Sequence, residues 1–262
     1  MKKIITNLLF VLLISYTNST LSQNTTHKLQ MGIVLSSGLN FNKMNTKLAD
    51  GNVGTDLSIG MNVVKNFNDN LGFLTGFEFD FSRLNYSFND TAYYQFSDSR
   101  ILTKQGNSSS NNTFLVKDRT QTPIFLSIPT MFVFRTDYIG YNRYFAKFGM
   151  RHSFALKSLT NDKGFQNGSV TSTELTRMDL SSDLSIYKGS IGIAGGMEWN
   201  YYGTSTMVFE LGYYYGINNI HRGDAIVGDT QKNMSLYEKD TKLYTTLKST
   251  QNQLTLKVSF LF

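Results

Sequence analysis

Alternation of apolar and polar residues with a period of two predicts eight candidate strands in this chain, and five of them alternate plainly. In a β-strand such alternation places successive side chains on opposite faces of a sheet. The third segment is the clearest example, because Phe77, Phe79 and Phe81 alternate with Glu78 and Asp80. The fourth is almost continuously apolar, so its facing stays open. The candidate strands span 28–41, 53–65, 71–87, 122–135, 142–157, 187–200, 205–218 and 247–262.

The connections between these candidate strands alternate in length. Those after the second, fourth and sixth strands are short, at 66–70, 136–141 and 201–204, whereas the other four are longer and rich in Ser, Thr, Asn and Gly. Short turns at one end and long loops at the other are typical of bacterial outer-membrane barrels. We therefore predict an all-β fold, an eight-stranded antiparallel up-and-down transmembrane β-barrel with short periplasmic turns and long extracellular loops.

The beginning of the chain has the parts of a secretory signal peptide. Lys2 and Lys3 are followed by an apolar core over 4–14 and then by small and polar residues. This apolar stretch is too short to cross a bilayer as a helix. We predict a signal peptide over 1–22 and a single barrel domain over 23–262, exported to the cell outer membrane.

The final candidate strand carries apolar residues on one parity up to Phe262. In a closed barrel this strand pairs with the first and leaves no edge in the lipid. Phe260 and Phe262 lie on the lipid-facing parity and resemble the C-terminal signature that outer-membrane assembly machinery recognises. We expect both residues to serve as that assembly signal.

The inward-facing parity combines many glycines with a few large charged residues. The interior of an eight-stranded barrel is just wide enough for side chains to fill it. Buried charges persist when they are paired and hydrogen-bonded, so we predict a salt-bridge cluster that plugs the lumen. A narrow charge-selective channel is the alternative, which the small diameter disfavours. The predicted cluster contains Asp56, Glu78, Asp80, Lys147, Arg151, Glu198, Glu210 and Lys257.

The aromatic residues near the strand ends predict two girdles at the lipid–water interfaces. Those at the short-turn end are Tyr138, Tyr141, Tyr144, Trp199, Tyr201 and Tyr202, and those at the opposite end are Tyr86, Phe88 and Tyr187.

Candidate catalytic and metal-binding groups are few. The chain has no cysteine, which excludes a disulfide framework, and its three histidines are far apart in sequence. His152 and Ser153 point to opposite faces of one strand, so they do not form a nucleophile–base pair. We predict a non-enzymatic protein with no cofactor and no metal; a lipid-modifying enzyme is the alternative.

The net charge of +6 comes from Lys and Arg residues that are scattered along the chain. In an exported barrel this excess favours contact with the anionic phosphates of membrane lipid and lipopolysaccharide over contact with nucleic acid.

Three segments resemble the PorT-type outer-membrane β-barrel family: FLSIP at 125–129, GSIGIAGGME at 189–198 and YYYGINNI at 213–220. The resemblance implies a Gram-negative outer-membrane barrel from a lineage with type IX secretion. We predict that the barrel binds a partner, such as a secretion-system or surface protein, through its extracellular loops or periplasmic turns, in protein secretion or surface assembly or in a general structural or adhesin-like role. One departure is Ser127, where the family usually carries Glu. Pro129 in the first segment donates no backbone hydrogen bond, so we expect a bulge or an unpaired position there.

Overall fold

The structure is a computed structural model that describes residues 28–44, 49–88, 92–95, 113–166, 169–181, 184–202, 205–221, 235–238, 243–246 and 249–262. The predicted signal peptide over 1–22 lies outside these residues. Within them, no helix is long and apolar enough to cross a membrane. The strands are β1 (Leu29–Met44), β2 (Ala49–Asn66), β3 (Leu71–Phe88), β4 (Ala92–Gln95), β5 (Thr113–Arg135), β6 (Asn142–Gln166), β7 (Ser172–Asp179), β8 (Tyr187–Tyr202), β9 (Ser205–Gly216), β10 (Ser235–Glu238), β11 (Leu243–Thr246) and β12 (Ser249–Leu261).

Eight long strands close into a ring in the order β1–β2–β3–β5–β6–β8–β9–β12. The ring closes because β12 pairs with β1, from Gly32 opposite Leu261 to Met44 opposite Ser249. Every pairing around the ring is antiparallel. Closure gives the backbone groups of every ring strand a partner on both sides, as a lipid environment requires. The predicted eight-stranded antiparallel fold is confirmed.

Side chains alternate between an exposed outer face and a buried inner face along each ring strand. The outer face is apolar, with Leu57, Ile59 and Phe81 each about half exposed. The inner face needs glycine where strands approach closely. A Cβ added to Gly60 would lie 2.0 Å from the carbonyl oxygen of Phe77. Small inner residues therefore let the wall close around the large polar side chains of its interior.

Both prolines of the chain lie in β5 and interrupt its ladder with β3. The β3–β5 register is constant, but the pairs that Pro123 and Pro129 would form with Ser82 and Gly76 are missing. A proline nitrogen has no hydrogen to donate, which explains both interruptions. Alternating burial also settles the facing of β5, because Phe125 and Ser127 point inward.

The long-loop end contains more strand than the sequence predicted. β5 begins at Thr113 and β6 extends to Gln166, while only residues 45–48 separate β1 from β2, so the predicted long first loop is wrong. β4, β10 and β11 extend the sheet beside β5, and β7 pairs with β6. The sequences of these segments lack the regular apolar period by which the ring strands were predicted.

An apolar core fills the lumen at the long-loop end. It joins inner residues of the long strands to residues of β7 and of the segments that follow β7 and β9. Tyr86 and Phe88 are buried in this core, so their predicted place in a lipid-facing girdle is wrong. The wall continues beyond the lipid belt, and the inward parity of both residues carries them inside. The core contains Ala49, Leu84, Tyr86, Phe88, Val116, Phe125, Leu175, Met178, Leu180, Leu184 and Ile220.

We predict that Gly60→Val prevents closure of the ring, because its side chain would overlap the backbone of β3. The folded, heat-modifiable band in a denaturing gel should disappear. Gly195→Ala is the matched control, since a Cβ there meets its nearest atom at 3.6 Å and should leave the folded band unchanged. A folded band of normal intensity for Gly60→Val would contradict the close approach of β2 and β3.

Candidate functional site

All eight charged residues that the sequence singled out point into the barrel, and none is more than 7% exposed. The structure does not gather them into one cluster. They form three groups: a central group, a single pair, and a group at the short-turn end. Further charged residues complete the groups and add a fourth at the long-loop end.

Arg151 is the hub of the central group. Its Nη2 atom donates to Glu78 Oε2 at 2.5 Å and to Asp80 Oδ1 at 2.6 Å. Lys257 Nζ donates to both carboxylate oxygens of Glu78, at 2.8 and 3.0 Å. The ring of Tyr214 lies beside both cations, with its centroid 5.4 Å from the Arg151 guanidinium carbon and 5.5 Å from Lys257 Nζ. Two carboxylates and two cations thus offset each other within the lumen.

Serine hydroxyls add hydrogen bonds to the carboxylates of this group. Ser127 donates to Asp80, and its oxygen also lies 2.6 Å from that of Ser153. Asp56 accepts from Ser82 instead of joining an ion pair with the hub. A carboxylate at 127 would add a further negative charge beside Asp80, so the smaller neutral donor suits this arrangement.

The second group is the pair of Lys147 Nζ and Glu210 Oε2, 2.5 Å apart. The third group closes the short-turn end, where two arginines share one carboxylate. Glu198 accepts from Arg135 Nε at 2.7 Å and from Arg143 Nε at 2.5 Å. Arg143 also lies over the ring of Tyr138, 4.7 Å from its centroid.

Neither arginine of the third group was among the residues predicted from the sequence. Arg143 shares the inward parity of Lys147 and Arg151, so the alternation of β6 was sufficient to find it. Arg135 lies in β5, whose facing the sequence left open because both of its faces are apolar.

The fourth group lies at the long-loop end, beyond the predicted strand limits. Arg119 donates from Nε and Nη2 to the two oxygens of Asp162, at 2.7 and 2.6 Å. The imidazole of His221 bridges two side chains. Its Nδ1 lies 2.7 Å from Ser249 Oγ, and its Nε2 lies 3.0 Å from Gln121 Oε1. Burial and the nearby Arg119 lower the pKa of His221 to about 3. This imidazole is therefore neutral at physiological pH.

Lys188 is a further buried cation that the sequence did not single out. Its Nζ donates to Gln251 Oε1 at 2.9 Å and lies 4.5 Å from the centroid of the Phe125 ring. Seven cations and six carboxylates are buried in the described part of the barrel. The buried positive and negative charges of these residues are therefore nearly balanced.

The groups with catalytic potential lie on different faces of the wall. His152 points outward, with Nδ1 2.8 Å from the Tyr187 hydroxyl and Nε2 3.3 Å from Thr130 Oγ1. Ser153 is buried inside and bonds to Ser127. In the ranges that the structure describes, no three or more His, Cys, Asp or Glu residues are grouped as a metal site would need.

The two terminal phenylalanines lie on the outer face. Phe260 is 52% exposed and Phe262 is 53% exposed. The backbone of Phe262 exchanges hydrogen bonds with that of Met31, at 2.7 and 3.1 Å. The residues of the predicted assembly signal therefore face the lipid beside the ring closure.

We predict that Arg151→Met destabilises the barrel by about 3–5 kcal/mol, because it leaves Glu78 and Asp80 buried side by side with one cation fewer. Urea unfolding in detergent micelles measures the loss. Arg83→Met is the matched control, because Arg83 is exposed on the outer face and its loss should change stability by less than about 0.5 kcal/mol. Equal stabilities for the two variants would contradict the role of the hub.

We predict that acid loosens the long-loop end through His221. Because its pKa is lower in the folded protein than in the unfolded chain, the unfolded form binds more protons below about pH 6.5. The contribution of the neutral His221 to the stability of the folded barrel is complete above about pH 6.5 and falls as the pH drops toward 3. At pH 5 the barrel is less stable than at pH 7 by roughly 2 kcal/mol. Hydrogen exchange measures this loss as lower protection of the backbone amides of β7, after correction for the intrinsic exchange rate at each pH.

Around the imidazole, Arg119 forms an ion pair with Asp162, and the ring of Tyr86 meets that of His221 edge-on. His221→Gln retains hydrogen-bonding capacity without titrating, so the loss of protection in β7 between pH 7 and pH 5, after correction for the intrinsic exchange rate, should be smaller than in the native protein. Acid loosening that persists in this variant would contradict the assignment.

Comparison with known proteins identifies the family. The sequence profile described as "Outer membrane protein beta-barrel domain" matches residues 21–222. The chain belongs to this family and is an outer-membrane protein. Its short-turn end therefore faces the periplasm and its long-loop end faces the cell exterior. No curated protein matches the sequence.

Solved outer-membrane proteins are similar to the chain at low identity. The attachment invasion locus protein Ail of Yersinia pestis is 12% identical with a TM-score of 0.36, over 89% of this chain and 98% of that one. OprG of Pseudomonas aeruginosa is 8% identical with a TM-score of 0.41, over 89% and 95%. The protease OmpT of Escherichia coli is 10% identical with a TM-score of 0.39, over 93% and 99%. Likenesses at this level carry no argument about function.

Proposed function

We propose that this outer-membrane barrel is a non-enzymatic anchor with a plugged lumen, which presents an extracellular β-sheet and its loops to a partner protein. The observation that carries the proposal is the filling of the lumen. Ion pairs occupy it from Glu198 at the periplasmic end to Asp80 at the centre, and an apolar core follows at the extracellular end.

A filled lumen disfavours a channel. An ion that crossed the barrel would have to separate Arg151 from Glu78 and Asp80, and leaving buried charges without partners costs several kcal/mol. It would also have to pass the apolar core, whose hydrocarbon side chains do not replace the hydration shell of an ion. The barrel is thus better suited to holding its extracellular β-sheet in place than to conducting ions.

The extracellular structure supports partner binding. Above the lipid belt the sheet has the order β11–β10–β4–β5–β6–β7, so β7 and β11 are its two edges among the described strands. The β6–β7 connection exposes Val170 almost completely, at 96%, and Ile186 is 62% exposed. Exposed apolar side chains are typical of the centre of a protein-binding surface.

The resemblance of 125–129, 189–198 and 213–220 to the PorT-type family supports a finer proposal, a part in type IX-like secretion or in surface assembly. The partners would then be secretion-system or surface proteins. Phe260 and Phe262 would be recognised by the assembly machinery during insertion, and lipid and lipopolysaccharide would contact the outer face.

Planar-bilayer recording tests the plugged lumen. We predict no steady openings on the nanosiemens scale for the native protein, because the ion pairs and the apolar core close the conduction route. An outer-membrane porin reconstituted in parallel confirms that insertion is detected. Steady openings of the native barrel would contradict the proposal.

Site-specific photocrosslinking on intact cells tests partner binding. We predict protein adducts from a photoreactive residue at Val170, on the extracellular side. Tyr141 is the matched control, since it is 76% exposed but lies in a periplasmic turn. Secretion components among the Val170 adducts would support the type IX interpretation. Adducts from Tyr141 alone would contradict binding through the extracellular structure.

A further inference from the structure

The lipid-facing wall of the barrel contains a groove of about 540 Å³. Two small outward residues, Ala146 of β6 and Gly195 of β8, lie opposite each other in the ladder and form its floor. Large apolar side chains rise on either side of them. The chief wall residues are Phe148, Ile193, Leu211 and Tyr213, which are between 41% and 60% exposed.

The glycine in the floor is not required by the barrel itself. At most glycines of the ring strands an added Cβ would come within 3.0 Å of another atom, as at Gly196, where it would lie 1.9 Å from the Phe209 carbonyl oxygen. At Gly195 the nearest atom is the Phe145 carbonyl oxygen at 3.6 Å, an ordinary contact. Its φ is not positive either. Glycine weakens a strand interior, so the reason for Gly195 lies outside the fold, on the lipid side.

The position of the groove indicates what covers it. Gly195 is four residues along β8 from Trp199, near the periplasmic turn, and eight from Tyr187, near the extracellular end. The groove therefore lies in the hydrocarbon of the periplasmic leaflet, where phospholipid chains are the surrounding medium.

The groove crosses β5, β6, β8, β9 and β12. This is a span of roughly 19 Å at about 4.8 Å per strand gap. One leaflet of hydrocarbon is about 15 Å thick, so a single acyl chain matches the groove in length.

We propose that this groove binds one acyl chain of a phospholipid from the periplasmic leaflet. A chain in the groove covers the exposed faces of Phe148 and Ile193 and contacts the floor at Gly195. Without a chain that follows the groove, the lining would lose dispersion contacts. Tyr144 and Trp199 lie on the periplasmic side of the floor and are 54% and 37% exposed. Aromatic residues at this depth are suited to the headgroup region of the same lipid.

Native mass spectrometry tests the proposal. The full barrel is reconstituted in vesicles of palmitoyl-oleoyl phosphatidylethanolamine and phosphatidylglycerol and then extracted in a mild detergent. Gly195→Leu and Ala146→Leu fill the floor of the groove. Ser37→Leu is the matched control, because it adds the same side chain on the outer face of β1, outside the groove. Heat-modifiable migration verifies that each variant is folded.

We expect one retained phospholipid on the native protein and on Ser37→Leu, and none on either groove variant. A native protein without lipid would overturn the proposal, as would equal retention by the folded groove variants. A native dimer that Gly195→Leu converts to a monomer would also overturn it, since the groove would then be a contact between two copies of the chain.

Discussion

Arg151 is fully buried at the centre of the barrel, with one guanidinium nitrogen shared between Glu78 and Asp80. Removing a charge from water costs several kcal/mol, which only close partners offset. The partners need space, and glycine provides it. A Cβ on Gly192 would lie 2.4 Å from the ring of Tyr214, which packs beside Arg151 and Lys257. The inner face thus combines small residues with large charged ones because the small residues leave the space that the charged side chains occupy.

The lumen is closed by two different kinds of packing. Within the lipid belt, cations and carboxylates pair across the ring, where the closed wall excludes both lipid and bulk water. At the extracellular end the wall rises beyond the belt, and side chains from β7 and the following segment enter the lumen as an apolar core. Between these regions, the neutral imidazole of His221 connects Gln121 of β5 with Ser249 of β12.

The sequence predicted most of the barrel because lipid imposes a strict contrast between the two faces of each strand. Where that contrast weakens, prediction fails for physical reasons. Above the belt both faces of β5 and β6 leave the lipid, so the period-two signal fades and Arg119 and Asp162 lay outside the predicted strands. Tyr86 was assigned to a girdle because an aromatic residue near a strand end does not reveal how far the wall extends. Arg135 was missed because β5 is apolar on both faces.

Pairing was harder to predict than facing. Alternation placed Asp56 and Lys147 inside, but which charges meet depends on the stagger of strands around the ring. Asp56 bonds to Ser82 and not to a cation of the hub. Lys147 meets Glu210 and not Glu78. No sequence pattern encodes that stagger directly.

The central claim is that Arg151 and Glu78 stabilise the barrel by pairing with each other inside it. A double-mutant cycle of Arg151→Met and Glu78→Gln, followed by urea unfolding in detergent micelles, measures that coupling directly. The account predicts that the double variant is more stable than the sum of the two single losses implies, by more than about 1 kcal/mol. Losses that simply add would show that the two buried charges act independently and would contradict it.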